Sequence, residues 1–279
     1  MPGTLYVVAT PIGNLEDVTL RALRVLREVA LIAAEDTRRT ARLLQHYSIS
    51  TRTTSLHEHN ERAKAASLIA RLQAGDSIAL VSDAGTPLIS DPGGYLVAEA
   101  HRAGICVQPI PGPNAAIAAL SASGLAQGEF VFVGFPPSRS TNRKRWLEHL
   151  ASERRVLVFY EAPHRIRPTL EDMLQAFGDR VVALGRELTK THENLVVRPI
   201  SGHLERSFEE RGEFTIVVAG ASTVPKTPRQ PPSSHHLSLE LGHLTENSAL
   251  TRREAIRTLA QRHGLSNKEV FNLLEEAKK

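Results

Sequence analysis

A chain of 279 residues is long enough to bury more than one core and points to two domains with an appendage. Its apolar runs fall well short of the roughly 18 residues that span a bilayer, no secretory signal precedes the first strand-like stretch of MPGTLYVVAT, and the single cysteine, Cys106, excludes an intrachain disulfide and a cysteine-cluster zinc site. A cytoplasmic protein with no membrane partner is expected, and a formal net charge of +4, with basic residues bunched in RSTNRKRW (139–146) and TRREAIRTLAQRHG (251–264), makes polyanions candidate partners, although solvated helix faces carry such bunches too.

From residue 5 to about 110, β-rich runs alternate with amphipathic stretches. LYVVAT, ALIAAED, SIALVSD and ICVQPIPG read as strands; a stretch through Leu20, Leu23 and Leu26, then ERAKAASLIARLQAG and GGYLVAEAHRAG, read as helices. Near-continuous apolar strands separated by helices predict a mainly parallel sheet covered on both faces. Gly75 and Gly104 stand where two of these helices would stop, in left-handed positions. A second series follows ALSASGLAQG: FVFVGF, the basic helix SRSTNRKRWLEHLA, RRVLVFYEA, IRPTLEDMLQAFG, RVVALGREL and EFTIVVAG. The expected organisation is an N-terminal α/β domain over 1–124, a second α/β domain over 125–222, a Pro/Ser/Thr-rich linker over 223–237 and a small helical module over 238–279.

In that last module Thr251 with Glu254, and Ser266 with Glu269, have the spacing of capping boxes, with Gly264 between them. Two helices and a tight turn follow, with Ala260, Gly264 and Val270 at the positions a helix-turn-helix uses; a helical hairpin that packs on the body or on a partner chain fits equally.

The stretch SDAGTPLISDPGG (82–94) leaves its strand as a stiff, irregular loop, because glycine admits positive φ while Pro87 and Pro92 fix φ and remove donors. VVATPIGNL places Pro11 and Gly13 after the first strand, and VQPIPGPNAA places Pro111, Gly112 and Pro113 after the fourth. Ligands of open α/β sheets bind beyond the carboxyl ends of the strands, so three such loops predict a small-molecule pocket there. No G-x-x-x-x-G-K-[ST] occurs and no G-x-G-x-x-G opens a helix, which disfavours classical ATP and NAD sites. His57 and His59, two apart and so on one face if on a strand, read as polar site-lining residues ahead of metal ligands, and no metal is expected. Three ionisable clusters follow apolar strands: Glu35, Asp36, Arg38 and Arg39; Glu161, His164 and Arg165; and Arg186, Glu187, Lys190 and Glu193. Each suits acid–base work or polar ligand binding, and each suits an ordinary solvated ion pair.

Taken in order, TPIGNLEDVTLRA, AAEDTRRT, HEHN, VSDAGTPLISDPG, PIPGPNAA, FYEAPHRI and GRELTKTHE resemble the tetrapyrrole methylase superfamily, in its branch that methylates ribosomal RNA ribose, over roughly residues 4 to 222. The resemblance implies a two-domain α/β methylase fold with S-adenosylmethionine in the cleft, a homodimer, and 16S ribosomal RNA or the small ribosomal subunit as partner. It implies methyl transfer to the 2′-hydroxyl of cytidine 1402. By position it places the cofactor against Ala84, Gly85, Thr86, Pro87 and Ile89, with Pro11, Asn114, Ala115, Tyr160 and Phe214 around it. Thr86 stands where tetrapyrrole-methylating members carry aspartate, a departure that favours the RNA branch over a porphyrin or corrin methylase. A non-catalytic RNA-binding protein on an old methylase fold is the remaining alternative.

For methyl transfer to a hydroxyl, the strand-end clusters make Glu187 or Asp36 the expected proton acceptor and Lys190 or Arg38 the expected cation on phosphate or developing charge. RNA phosphates are expected on Arg139, Arg143, Lys144 and Arg145, and on Arg252, Arg253, Arg257 and Lys268 of the tail.

Overall fold

A computed structural model of the chain describes every residue except 127, 206–208, 210, 222–233, 248–250, 264–266 and 277–279. The chain forms two compact units, Met1–Ala221 and Ser222–Lys279.

The first unit opens with a five-stranded sheet: β1 (Thr4–Val8), β2 (Leu31–Ala34), β3 (Thr53–Ser55), β4 (Ile78–Val81) and β5 (Cys106–Ile110), ordered β3-β2-β4-β1-β5 and parallel throughout. Side chains alternate across it, as period two requires. Ala79 and Val81 join Leu23, Leu26, Leu43 and Leu44 of helices α1 (Leu20–Glu28) and α2 (Thr37–His46) on one face. Ile78 and Leu80 join Leu68, Leu72 and Leu96 of α3 (Glu61–Gln73) and α4 (Gly94–Arg102) on the other. With both faces covered, β2 and β4 are buried at every position, which is why they read as unbroken apolar runs. At the end of α4 the Ile105 and Gly104 amides return to the Ala100 and His101 carbonyls, and Gly104 takes φ +68°, the left-handed stop expected of it; Gly75 ends α3 likewise.

Two elements here go beyond the sequence reading. β3 is a three-residue edge strand of Thr and Ser with no apolar signature, so the loop expected after the fourth strand follows the fifth. The AAEDTRRT cluster runs into α2, whose first turn is polar because it is capped by Asp36: the Arg38 amide donates to Asp36 Oδ1 at 2.9 Å.

Helix α5 (Ala115–Ala122), capped by Asn114, leads to a second sheet of β6 (Phe130–Phe132), β7 (Val156–Glu161), β8 (Val181–Arg186), β9 (Asn194–Pro199) and β10 (Phe214–Val218) in the order β6-β7-β10-β8-β9. Only β6 and β7 run parallel. Helices α6 (Ser140–Leu150), α7 (Ile166–Phe177) and α8 (Ile200–Leu204) cover one face, around Leu147, Phe159, Leu170 and Ile216. The opposite face packs Val158, Ala183 and Val217 against Ala116, Ala119 and Leu120 of α5 and against Ile12 from the loop after β1. That shared apolar layer holds the carboxyl ends of the first sheet beside β7 and β10.

The second unit contains α9 (Ser234–Asn247), α10 (Arg252–His263) and α11 (Asn267–Glu276) around Leu237, Leu259, Ala260, Val270 and Leu274. Three helices replace the expected two, and α9 begins inside the segment read as linker because Leu237, Leu241 and Leu244 form a helical apolar stripe. The Thr251–Glu254 capping box forms reciprocally, with the Thr251 amide donating to Glu254 Oε2 at 2.9 Å and the Glu254 amide to Thr251 Oγ1 at 3.4 Å. Gly264, Ser266 and linker residues 223–233 lie outside the described residues.

Candidate active site

The loop after β4 is fastened at two points. Thr10 and Gly85 exchange backbone hydrogen bonds of 2.8 and 3.0 Å, and Thr86 Oγ1 donates to the Pro113 carbonyl at 3.0 Å, so the loops after β1, β4 and β5 form one body. Gly85 has φ +81°, and Leu88 and Ser90 hold φ of +71° and +72° without being glycine. Such conformations cost of order 1 kcal/mol or more each and cluster where backbone is shaped for a ligand.

Between this body and β7 and β10 lies a cavity of about 370 Å³. Ala84, Gly85, Thr86, Ile89, Asn114, Ala115, Tyr160 and Phe214 line it, eight of the residues expected around a cofactor. Pro11 instead lines an adjoining hollow of about 340 Å³ that shares Arg39 and Asp83 with the main cavity, and Pro87 lines neither. The Tyr160 hydroxyl accepts the Ala116 amide at 3.3 Å, and its ring lies 5.4 Å from the half-exposed ring of Phe135, which also lines the cavity. Burial, with the negative charge of Asp91 behind it, pushes the Tyr160 phenol up against the Ala116 amide, which lowers it.

Five carboxylates line the cavity: Glu35, Asp83, Asp91, Glu161 and Glu213. Asp83 accepts the Asp36 amide at 2.9 Å and stands 3.4 Å from Arg39, and Glu35 accepts the Asp83 amide at 3.2 Å. Burial raises the Glu35 carboxyl despite that amide, with Asp83 adding repulsion. Asp91 is pushed up to about 6 by burial and by the like charges of Glu35 and Asp83, against a lowering hydrogen bond from Ser82. Glu161 is buried and fully engaged by Arg165, Thr169 and the Ala162 amide, and Arg165 also donates to the Pro136 carbonyl at 3.0 Å, which fixes the segment carrying Phe135.

The expected catalytic residues sit outside the cavity. Asp36 is occupied as the cap of α2 and by the Arg38 guanidinium at 2.9 Å, which holds its carboxyl down at about 2, while the Arg38 side chain is 88% exposed. Lys190 bridges Glu187 at 2.9 Å and Glu213 at 3.0 Å, reaching the cavity only through Glu213. Burial would raise Glu187, but the Lys190 ammonium and the Glu213 amide leave it lowered. The loop bearing them meets the loop after β1, where the Asn14 amide donates to Thr189 Oγ1 at 3.0 Å.

His57 and His59 lie in the turn after β3 and not on a strand; His57 Nε2 stands 2.9 Å from Asn60 Nδ2, and the two rings meet edge to face. Arg139, Lys144 and Arg145 are exposed on and before α6. Arg143 corrects its expected role as a phosphate ligand: it is buried, with Nε and Nη2 2.8 and 2.7 Å from Asp172, so its charge is neutralised inside the fold. In the second unit Arg252 and Arg257 are exposed, Arg252 pairing with Glu275 at 3.2 Å; the side chains of Arg253 and Lys268 lie outside the described residues. Asp83, Asp91, Glu213 and Phe135 also line the cavity without forming part of a sequence cluster, and an aspartate closing a Gly/Pro-rich strand-end loop is the one local signal for Asp91.

Residues 4–202 match the family model of Tetrapyrrole (Corrin/Porphyrin) Methylases. The Ribosomal RNA small subunit methyltransferase I of Pseudomonas aeruginosa is 52% identical over 78% of this chain and 79% of its own. The enzyme of that name from Halalkalibacterium halodurans is 45% identical over 98% of this chain and 95% of its own, and that from Synechocystis 47% over 97% of each. Among solved structures, uroporphyrin-III-C-methyltransferase from Thermus thermophilus superposes with a TM-score of 0.56 at 24% identity, over 78% of this chain and 94% of that one. A diphthine synthase superposes with a TM-score of 0.60 at 15% identity, over 78% and 90%. These two likenesses concern the fold.

Proposed function

The chain belongs to the tetrapyrrole methylase family, and on that premise we propose that it transfers a methyl group from S-adenosylmethionine to the ribose 2′-hydroxyl of cytidine 1402 in small-subunit ribosomal RNA. The observation that carries this reading is the 45–47% identity, sustained over 97–98% of the chain, to two proteins named for ribosomal RNA small subunit methylation.

The cavity fits S-adenosylmethionine by its chemistry. Five carboxylates face a space built for a ligand that carries cationic sulfonium and ammonium groups, and the backbone of residues 84–86 approaches with no side-chain bulk beyond Thr86. Ala84, Gly85, Thr86, Ile89, Asn114, Ala115, Tyr160 and Phe214 would hold it. When bound it supplies an electrophilic methyl group. The protein's own residues position the acceptor. The loops fused through Thr10, Gly85 and Thr86 set one wall, and the Phe135 ring at the mouth offers a face on which a base splayed from its RNA neighbours stacks. Arg139, Lys144 and Arg145 supply phosphate contacts.

The test is transfer of labelled methyl from S-adenosylmethionine to small subunits lacking the ribose mark, with free 16S RNA alongside and mass spectrometry to place the product. Label on the ribose of cytidine 1402 supports the reading. No label on either substrate, with cofactor binding intact, moves the function to a small-molecule acceptor or to binding alone.

A further inference from the structure

We infer that Asp91 is the proton acceptor for the hydroxyl that is methylated, because it is the carboxylate on the cavity wall that no cation or amide occupies among the described residues. The inference rests on the proposed reaction. The other four are committed: Glu161 to Arg165 and Thr169, Asp83 to Arg39 and the Asp36 amide, Glu35 to the Asp83 amide, and Glu213 to Lys190. A carboxylate already held by a guanidinium, an ammonium or a backbone amide is a weakened base, since protonation competes with that interaction. Asp91 has the Ser82 hydroxyl as hydrogen-bonding neighbour and the charges of Glu35 and Asp83 as its electrostatic surroundings.

Its position comes from the loop. Ser90 at φ +72° and Gly93 at φ +121° bracket Asp91 and turn it onto the wall shared with Tyr160 from β7, Arg39 from α2, Glu35 after β2 and Asp83 after β4. Partial burial, and after it two like charges, hold its proton affinity up, to about 6, while leaving it ionised at neutral pH, the condition that suits a general base. As the ribose oxygen bonds to the methyl carbon, the carbon–sulfur bond breaks and its electron pair stays on sulfur, which becomes a neutral thioether. The hydroxyl proton passes to the Asp91 carboxylate, so one positive and one negative charge disappear together, and water later takes the proton from Asp91.

Asp91→Asn in the full chain is the test, read in single-turnover methylation of unmarked small subunits at saturating RNA and cofactor. The expected rate at saturating cofactor falls about 10² to 10⁴-fold, well beyond the loss of cofactor affinity measured by calorimetry, which stays under about tenfold because four of the five cavity carboxylates remain. The wild-type rate loses about tenfold per pH unit below about 6 and the residual rate of the variant does not. Independently of activity, carbon NMR of labelled aspartate side chains in the cofactor-free protein should show one carboxyl titrating near 6 that is absent from Asp91→Asn. A variant rate within threefold of wild type overturns the inference, as does a loss explained wholly by weaker cofactor binding with the pH limb retained. An inactive wild type would instead remove the reaction on which the inference stands.

Discussion

Thr10 and Gly85 face each other across a two-residue antiparallel bridge, each amide donating to the other's carbonyl at 2.8 and 3.0 Å. That bridge makes the loops after β1 and β4 one surface, and it depends on Gly85 holding φ +81°. A Cβ there would stand 3.2 Å from Ile12 Cγ2. Gly85→Ala is expected to cost about 1 to 3 kcal/mol in urea unfolding and to weaken S-adenosylmethionine binding at least about tenfold, because the loop must shift at the cavity wall. An unchanged Kd in calorimetry would mean the ligand lies elsewhere.

Arg143 and Asp172 form an ion pair with both partners under 7% exposed, between α6 and α7. Removing the guanidinium leaves a buried carboxylate whose other cation, Lys144, stands at 3.5 Å and is half exposed. Arg143→Met should therefore destabilise the fold by about 2 to 4 kcal/mol, toward the lower end for a broken buried pair. Adding Asp172→Leu should recover most of that loss. RNA affinity of the folded variant should match wild type; lower affinity with unchanged stability would return Arg143 to a phosphate-binding role.

The parallel sheet was legible because its strands are buried on both faces and its helices end on glycine, two signals that survive in a single sequence. β3 and β9 were not, since edge strands need no apolar run, and β9 mixes half-buried and exposed residues without burying any fully. The cavity's backbone wall could be anticipated from Gly85 and its neighbours. Its chemistry could not, because whether a carboxylate is free depends on partners distant in sequence. Asp36 and Asp91 look alike in the sequence, yet one caps a helix beside its own Arg38 and the other is flanked by charges from residues 35 and 83.

The second unit, with its own apolar core around Leu259 and Val270, should be separable in function. A chain ending at residue 221 should keep its cofactor Kd and lose RNA affinity. With Arg252 and Arg257 among the lost cations, the slope of log K against log salt should fall by about 2 to 4. Filter binding across a salt series decides it: an unchanged slope would assign RNA contact to Arg139, Lys144 and Arg145 alone.

Asp91 should make the ligand-free protein less stable as pH rises. Its folded pKa of about 6 lies above the ordinary 3.8, so between those values the folded chain holds a proton that the unfolded chain has released. Stability therefore falls through that window and is level above it, once both states are ionised. Allowing for solvent screening at a partly exposed group, the penalty is about 1 kcal/mol. Asp91→Asn removes it, so the variant's Tm should exceed wild type by about 2 to 4 °C at pH 8 and by several-fold less at pH 4. Scanning calorimetry at both pH values separates charge from packing: a shift of equal size at each would mean that the Asn side chain merely fits better, and that Asp91 is not a carboxylate held at a cost for chemistry.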